Sequence, residues 1–232
     1  MKQKLLLVFV CFPFFVSFSQ TEFHVEGTLG VGLNGSEMVN PILIEGRWNS
    51  NEYFSTSFGL GLWNTGFKQV WEEGDNNVFT IYHLNDNKAL VSMQGGIKIQ
   101  YPIATILAQP LWFFVEPKAY FLPFTLRNPS LKEDTYTIDP IESASSGSPV
   151  YDHASPPLNT MKSSSVPQLG FGMQFGFTTE IQNKIRFGIG FGYSNLDFFK
   201  QLRGQKIHNT LFDSHLPNKG LKTILLSLSY PI

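Results

Sequence analysis

The chain is poor in charge, and it has a single cysteine. Of its 232 residues, 15% are charged, against roughly 25% in an ordinary soluble domain. Lys and Arg nearly balance Asp and Glu, leaving a net charge of −1. That balance gives nucleic acid no electrostatic footprint. One cysteine, Cys11, excludes a disulfide framework. Runs of apolar residues are also missing: a helical span needs about 20, and the longest, residues 5–18, has 14 and is broken by Pro13. Disorder is excluded for most of the chain, because few charges and many aromatics are the reverse of its composition. What is abundant is aromatic: 15% of the residues, with 22 Phe. Yet the mean hydropathy is only −0.05. Apolar and polar residues must therefore be finely interleaved.

The first residues read as a targeting segment. Lys2 and Lys4 precede the short apolar run, and Ser17 and Ser19 supply a small-x-small pair before Gln20. This predicts a Sec signal peptide over residues 1–19, cleaved after Ser19, and a single domain over residues 20–232. Cys11 follows Val10 inside the apolar run, which is not the setting of a lipidation site. Its removal leaves the mature chain without a thiol.

Eight segments of the mature chain alternate with period two, as strands with two unlike faces do. One face reads Phe23, Val25, Gly27, Leu29, Val31, Leu33 in the first segment and Leu169, Phe171, Met173, Phe175, Phe177 in the sixth. The seventh gives Ile185, Phe187, Ile189, Phe191, Tyr193, and the last Ile224, Leu226, Leu228, Tyr230, Ile232. The opposite face is mostly Gly, Ser and Gln. Its charges are Glu26, Glu45, Arg47, Lys98, Glu116, Lys118 and Arg186. Such a face is too small and too weakly charged to meet bulk water, which favours Lys and Glu. With the faces reversed, the aromatic face meets lipid and the small polar face lines a lumen. In lipid every backbone polar group must be paired, so the sheet must close.

The predicted fold is therefore all-β: a transmembrane, antiparallel, up-and-down barrel of eight strands. The connections alternate as such barrels require, short at one end and, apart from the first at 34–41, long at the other. The connection 63–88 reads as a hairpin standing clear of the membrane; counting it as two more strands gives the ten-stranded alternative. Trp48, Phe54, Tyr101, Phe177 and Tyr230 fall near one set of strand ends, as an aromatic girdle does. Pro117 lies in mid-strand, where it lacks a ladder N–H, and predicts a bulge. Residues 125–167 are polar and aperiodic. They read as a mobile loop and as the place where an envelope partner would bind.

Catalytic and cofactor signals are weak. Gly30-x-Gly32-x-x-Gly35 matches a dinucleotide fingerprint, but that motif needs a following helix, and here Asn34 and Pro41 mark a turn into another strand. Asp213, Ser214 and His215 lie in the last long connection with His208, and Asp152 and His153 lie in the largest. They carry a rim-enzyme alternative, which requires them to converge in one cleft. No catalytic residue, metal or cofactor is predicted. The seven lumen charges form the candidate site. An eight-stranded lumen is just wide enough for its side chains or one small ligand. Two readings follow: a salt-bridged plug, or a narrow pore or conduit using the space beside the inward glycines.

The mature chain resembles the small outer-membrane β-barrel domain of Gram-negative bacteria. The resemblance is carried by Phe-Gly-Ile-Gly-Phe-Gly-Tyr at 187–193 and by the closing strand at 224–232. That strand looks like the signal read by the barrel-assembly machinery, although it ends in Ile232 where many end in Phe. The Ser-Phe-Ser-Gln junction and the glycine-rich strands are most similar to the PorT-like barrels. The resemblance implies residence in the outer membrane, with its lipid and the assembly machinery as partners. It implies a non-enzymatic structural or interaction role, accessory to a secretion or envelope complex, and supplies no catalytic motif.

Overall fold

A computed structural model describes residues 22–34, 37–74, 78–106, 108–125, 130–139, 150–153, 158–159, 167–181, 184–200, 202–204, 206–207, 210–211, 216 and 219–232. The predicted signal peptide, residues 1–19, lies outside them. The strands are β1 (Glu22–Asn34), β2 (Glu37–Asn49), β3 (Phe54–Gly74), β4 (Val78–Ile106), β5 (Gln109–Thr125), β6 (Ser130–Asp139) and β7 (Val150–His153). They continue with β8 (Leu158–Asn159), β9 (Gln168–Glu180), β10 (Arg186–Ser194), β11 (Lys206–Ile207), β12 (Thr210–Leu211) and β13 (Leu221–Pro231).

Eight of these strands close a ring. β1 to β5 pair in sequence, β5 pairs with β9, β9 with β10 and β10 with β13, all antiparallel. β13 returns to β1, from His24 opposite Pro231 to Leu33 opposite Lys222. The Ile232 amide donates to the Phe23 carbonyl at 3.0 Å and extends this joint to the last residue. The barrel therefore has eight strands, not ten. Residues 63–88 do form a hairpin, built from the continuous upper parts of β3 and β4.

Period two sorts the side chains as the sequence predicts. Leu29, Ile44, Phe58, Phe171, Leu226 and their alternating neighbours point outward and are exposed, Leu29 at 61%. Glu26, Glu45, Arg47, Ser57, Gln94, Lys98, Glu116 and Lys118 point inward and are buried. This inversion of a water-soluble protein suits a barrel whose exterior solvent is hydrocarbon. Aromatic residues gather at the end holding both termini of the ring. Phe23 meets Trp48 at 5.1 Å, and Tyr53 meets Tyr101 at 6.4 Å and Trp112 at 6.0 Å.

Three expectations need correction. Pro117 makes no bulge: Gly96 stands opposite Lys118 and Ile99 opposite Val115, in one register on both sides of it. The ladder to β4 omits the two pairs between them and keeps its count. The register shifts fall instead at Val91/Met93 and Pro102/Ala104. The stretch 125–167 is not wholly aperiodic loop, since β6 pairs with the upper part of β4, and β7 and β8 pair with β6. Finally, the inward glycines do not leave empty space. A Cβ at Gly59 would lie 2.1 Å from the Ile44 carbonyl oxygen, and one at Gly176 would lie 2.2 Å from that of Ile189. These glycines let neighbouring strands and side chains approach closely.

Two measurements test the fold. The folded barrel is expected to migrate differently on a gel before and after boiling; identical migration would count against closure. G176V forces backbone apart and is expected to cost about 1–3 kcal/mol. G27A, at an outward site with nothing within 4 Å of the added Cβ, is expected to stay within about 0.5 kcal/mol of the parent.

Candidate functional site

The lumen charges are built from residues two apart on facing strands. Glu45 and Arg47 alternate on β2, and Glu116 and Lys118 on β5, so each pair shares the inward face. Strand order places β2 and β5 far apart around the ring. Their side chains meet across its interior.

Arg47 is the node. Its Nε and Nη2 donate to the two carboxylate oxygens of Glu26, each at 3.1 Å. Nη2 also reaches Glu116 at 3.1 and 3.2 Å, and Nη1 reaches the Ser55 hydroxyl at 3.3 Å. Lys118 donates to both oxygens of Glu45 at 2.8 and 2.6 Å and lies 3.6 Å from Glu116. Ser57 donates to Glu116 at 3.0 Å, and Gln94 donates to Glu45 at 3.0 Å. Three carboxylates and two cations thus form one ion-paired layer, made of two hydrogen-bonded groups joined by Arg47–Glu45 at 3.8 Å and Lys118–Glu116 at 3.6 Å. Burying charge is costly, and pairing of this kind offsets the cost.

Two predicted members stand apart. Lys98 is buried, with its ammonium 4.4 Å from the centre of the Phe114 ring. Arg186 is half-buried at the first position of β10, opposite Ser229 and Glu180, and makes no ion pair among the described residues. The sequence reading missed His24, fully buried below the charge layer with Nδ1 3.2 Å from the Ser229 hydroxyl. Its place between Phe23 and Val25 on the inward parity of β1 was the available signal. Glu22 approaches the other ring nitrogen at 3.7 Å. This serine–histidine–carboxylate order is that of a nucleophile relay. Ser229 and His24 are 4% and 0% exposed, however, and neither is open to a substrate.

At the rim, outside the apolar belt, Lys184 donates to Glu22 and ties the β9–β10 turn to β1. That hydrogen bond holds the Glu22 carboxyl below its ordinary range. The stability it lends is present at neutral pH and is lost as pH falls through the depressed folded-state value.

Above the charge layer the lumen becomes apolar. Trp63 donates from Nε1 to Ser92 at 2.8 Å and packs on Tyr120 and Phe198, both with ring centres 5.7 Å away. Leu196, Phe198, Phe199 and Leu202, from the β10–β13 connection, are fully buried there with Leu43 and Leu221, and Leu216 packs at the margin of the cluster. Gly220 N donates to Leu196 O, the Asn195 backbone N–H donates to the Phe171 carbonyl, and the Phe171 N–H donates to Asn195 Oδ1. Arg203 grips Asp197 at 2.6 Å. Among the described residues of the last connection, 196–200, 202 and 216 therefore fold into the mouth as a plug. The apolar run Leu196, Phe198, Phe199, Leu202 in an otherwise polar stretch was the signal for it.

Asp213, Ser214, His215 and His208 lie outside the described residues. Asp152 and His153 belong to β7, where they pair in register with Thr137 and Tyr136. Gly30 and Gly32 lie within β1, which leads into β2 and not into a helix. Among the described residues no three His, Cys, Asp or Glu gather as metal ligands do.

No family model matches the chain, and neither does any curated protein. Solved barrels do align over its length. Neisserial surface protein A aligns with TM-score 0.45 and 9% identity, over 92% of this chain and 98% of that one. Ail, the attachment invasion locus protein of Yersinia pestis, gives 0.35 and 8% over 91% and 97%. The translocator domain of the autotransporter NalP from Neisseria meningitidis gives 0.27 and 10% over 100% and 96%.

Removing the node is the sharpest test of the layer. R47M leaves Glu26 and Glu116 buried without their shared cation and is expected to lose about 3–5 kcal/mol. R47M/E26Q/E116Q, which removes the stranded charges too, is expected to regain much of that in urea unfolding from micelles.

Proposed function

We propose that this chain is a non-enzymatic, non-conducting barrel of the outer membrane. It serves as a scaffold that holds a structured surface beyond the bilayer for interaction with other envelope components. The observation that carries the reading is the doubly filled lumen, with an ion-pair layer below and an apolar plug above. Water and solutes cross an eight-stranded barrel only where side chains leave room. The inward glycines, the feature that favoured a conduit, are filled by neighbours.

The outward apolar belt supports residence in a bilayer, and a barrel selects the outer membrane over the inner one, which is spanned by helices. The short turns and both ends of the ring then lie in the periplasm, and the β3–β4 hairpin with β6, β7 and β8 lies outside the cell. Export by a cleaved signal peptide over residues 1–19 and insertion by the barrel-assembly machinery belong to this proposal. So does an accessory role in a secretion or envelope complex, as the resemblance to PorT-like barrels implies. Contact with partners falls to the β6–β8 region and the rest of residues 125–167.

Planar-bilayer recording tests the central claim. The wild-type barrel is expected to give no steady conductance, and R47A or E116A is expected to open none unless the fold is lost. A stable unitary conductance from the intact wild type would replace the scaffold with a pore.

A further inference from the structure

Among the described residues, β3 has partners on both flanks as far as Gly66 and on one flank beyond it. Up to that point it lies between β2 and β4, and its last bridge to β2 joins Gly66 to Met38. Beyond it, residues 67–74 continue along β4, from Phe67 opposite Asp86 to Gly74 opposite Phe79. Among the described residues no strand takes the flank that β2 leaves. The other flank of the hairpin is covered, because β6 pairs with β4 from Val78 to Asn85 and β7 and β8 follow on β6. The structure thus protects one edge of its protruding sheet and leaves the other as a template for strand addition.

The outward side chains select the added strand. Lys68, Val70 and Glu72 share that face, and all three are exposed, Val70 at 60%. Antiparallel pairing of this edge with its own copy, about a two-fold axis through Val70, places residue 68 opposite residue 72. Each Lys68 then faces a Glu72 of the second copy, and the two Val70 side chains meet at the axis. Directly opposed charges of unlike sign and apposed β-branched residues are the pairs that stabilise a sheet. Slipping the register by two residues either way loses both ion pairs. Slipping by four sets like charge against like.

Symmetry also fixes where the second copy sits. A two-fold axis perpendicular to a sheet reverses the strand direction. β3 and β4 run from barrel to tip in one unbroken register, so the hairpin carries the direction of the barrel wall away from the bilayer. Reversing it inverts the second barrel. We propose that residues 67–74 form a homotypic adhesion edge, joining copies of this chain on two facing membranes by antiparallel strand addition. The proposal rests on the outer-membrane reading above.

The test uses the full mature chain reconstituted in phosphatidylethanolamine–phosphatidylglycerol vesicles, with clustering followed by light scattering. Wild-type vesicles are expected to cluster in proportion to protein density, since many weak contacts act together. K68E and E72K each place like charges at both crossings and are expected to slow clustering at least tenfold. Mixing K68E vesicles with E72K vesicles is expected to restore it, because every crossing is again Glu against Lys. The double variant K68E/E72K is expected to cluster by itself. Dispersed wild-type vesicles overturn the proposal, as does clustering that ignores the single variants or fails to return on mixing. Heat-dependent gel migration separates the two readings: a heat-shifted barrel in dispersed vesicles removes the adhesion edge alone, whereas a chain that never inserts removes the outer-membrane reading and the edge with it.

Discussion

Closure of the backbone circuit is the constraint on which the rest of the structure depends. Hydrocarbon offers no hydrogen bonds, so each N–H and C=O in the wall needs a strand on its own side. The joint between β1 and β13 satisfies this with ten consecutive pairs and no register shift. Closure then dictates composition. A strand in a closed wall has one face to lipid and one to the lumen, and a slip of one residue exchanges them all. The apolar outward face of the barrel wall, with Lys222 as a charge at its upper end, is therefore what holds the register.

Closure also creates a second problem, because the interior it encloses is narrow. Inward glycines on several strands make room: Gly30 and Gly32 on β1, Gly59 and Gly61 on β3, Gly96 on β4, and Gly170, Gly172, Gly176, Gly188, Gly190 and Gly192 on β9 and β10. They stand among the large and charged inward residues Glu26, Glu45, Arg47, Lys98, Phe114, Glu116, Lys118 and Arg186. A Cβ on Gly190, for example, would lie 3.2 Å from the Phe114 ring. Charge neutralisation is concentrated on β1 to β5. Arg47 on β2 joins β1, β3 and β5 through Glu26, Ser55 and Glu116, and Lys118 on β5 returns to Glu45 on β2. A guanidinium suits the node, because its planar fork serves two carboxylates at once where an ammonium is a point charge.

The wall was legible in the sequence because period two is a local property. Every residue assigned to the lipid face from alternation points outward, and all seven lumen charges lie on the inward face. Which charges meet was not legible, since Arg47 and Glu116 are 69 residues apart and their meeting depends on strand order and lumen diameter. Lys98 and Arg186 show the limit: they share the parity of the network and stay outside its ion pairs. The plug escaped for a different reason. Leu196, Phe198, Phe199 and Leu202 have no strand period, and only the mouth into which they fold gives them a core. Pro117 misled because a missing N–H implies an interruption of the ladder, and the ladder absorbed it by omitting two bridges without changing register.

The scarcity of charge finally locates the bilayer. On β3 the outward residues from Phe54 to Leu62 carry no charge, and the first outward charge is Lys68. Eight steps from Phe54 to Leu62 cover about 27 Å along a strand at ~3.4 Å per residue. With the usual tilt of ~40° they rise about 21 Å, close to the ~25 Å apolar band of such barrels. The hydrocarbon boundary therefore falls between Leu62 and Lys68, close to where β3 loses β2 as a neighbour at Gly66. Below that level an open edge is forbidden by the solvent. Above it water can hydrate the edge, and its outward face becomes free to carry Lys68 and Glu72. The change of solvent thus explains at one place why the wall ends, why charge returns to the outer face, and why an open strand can exist there at all.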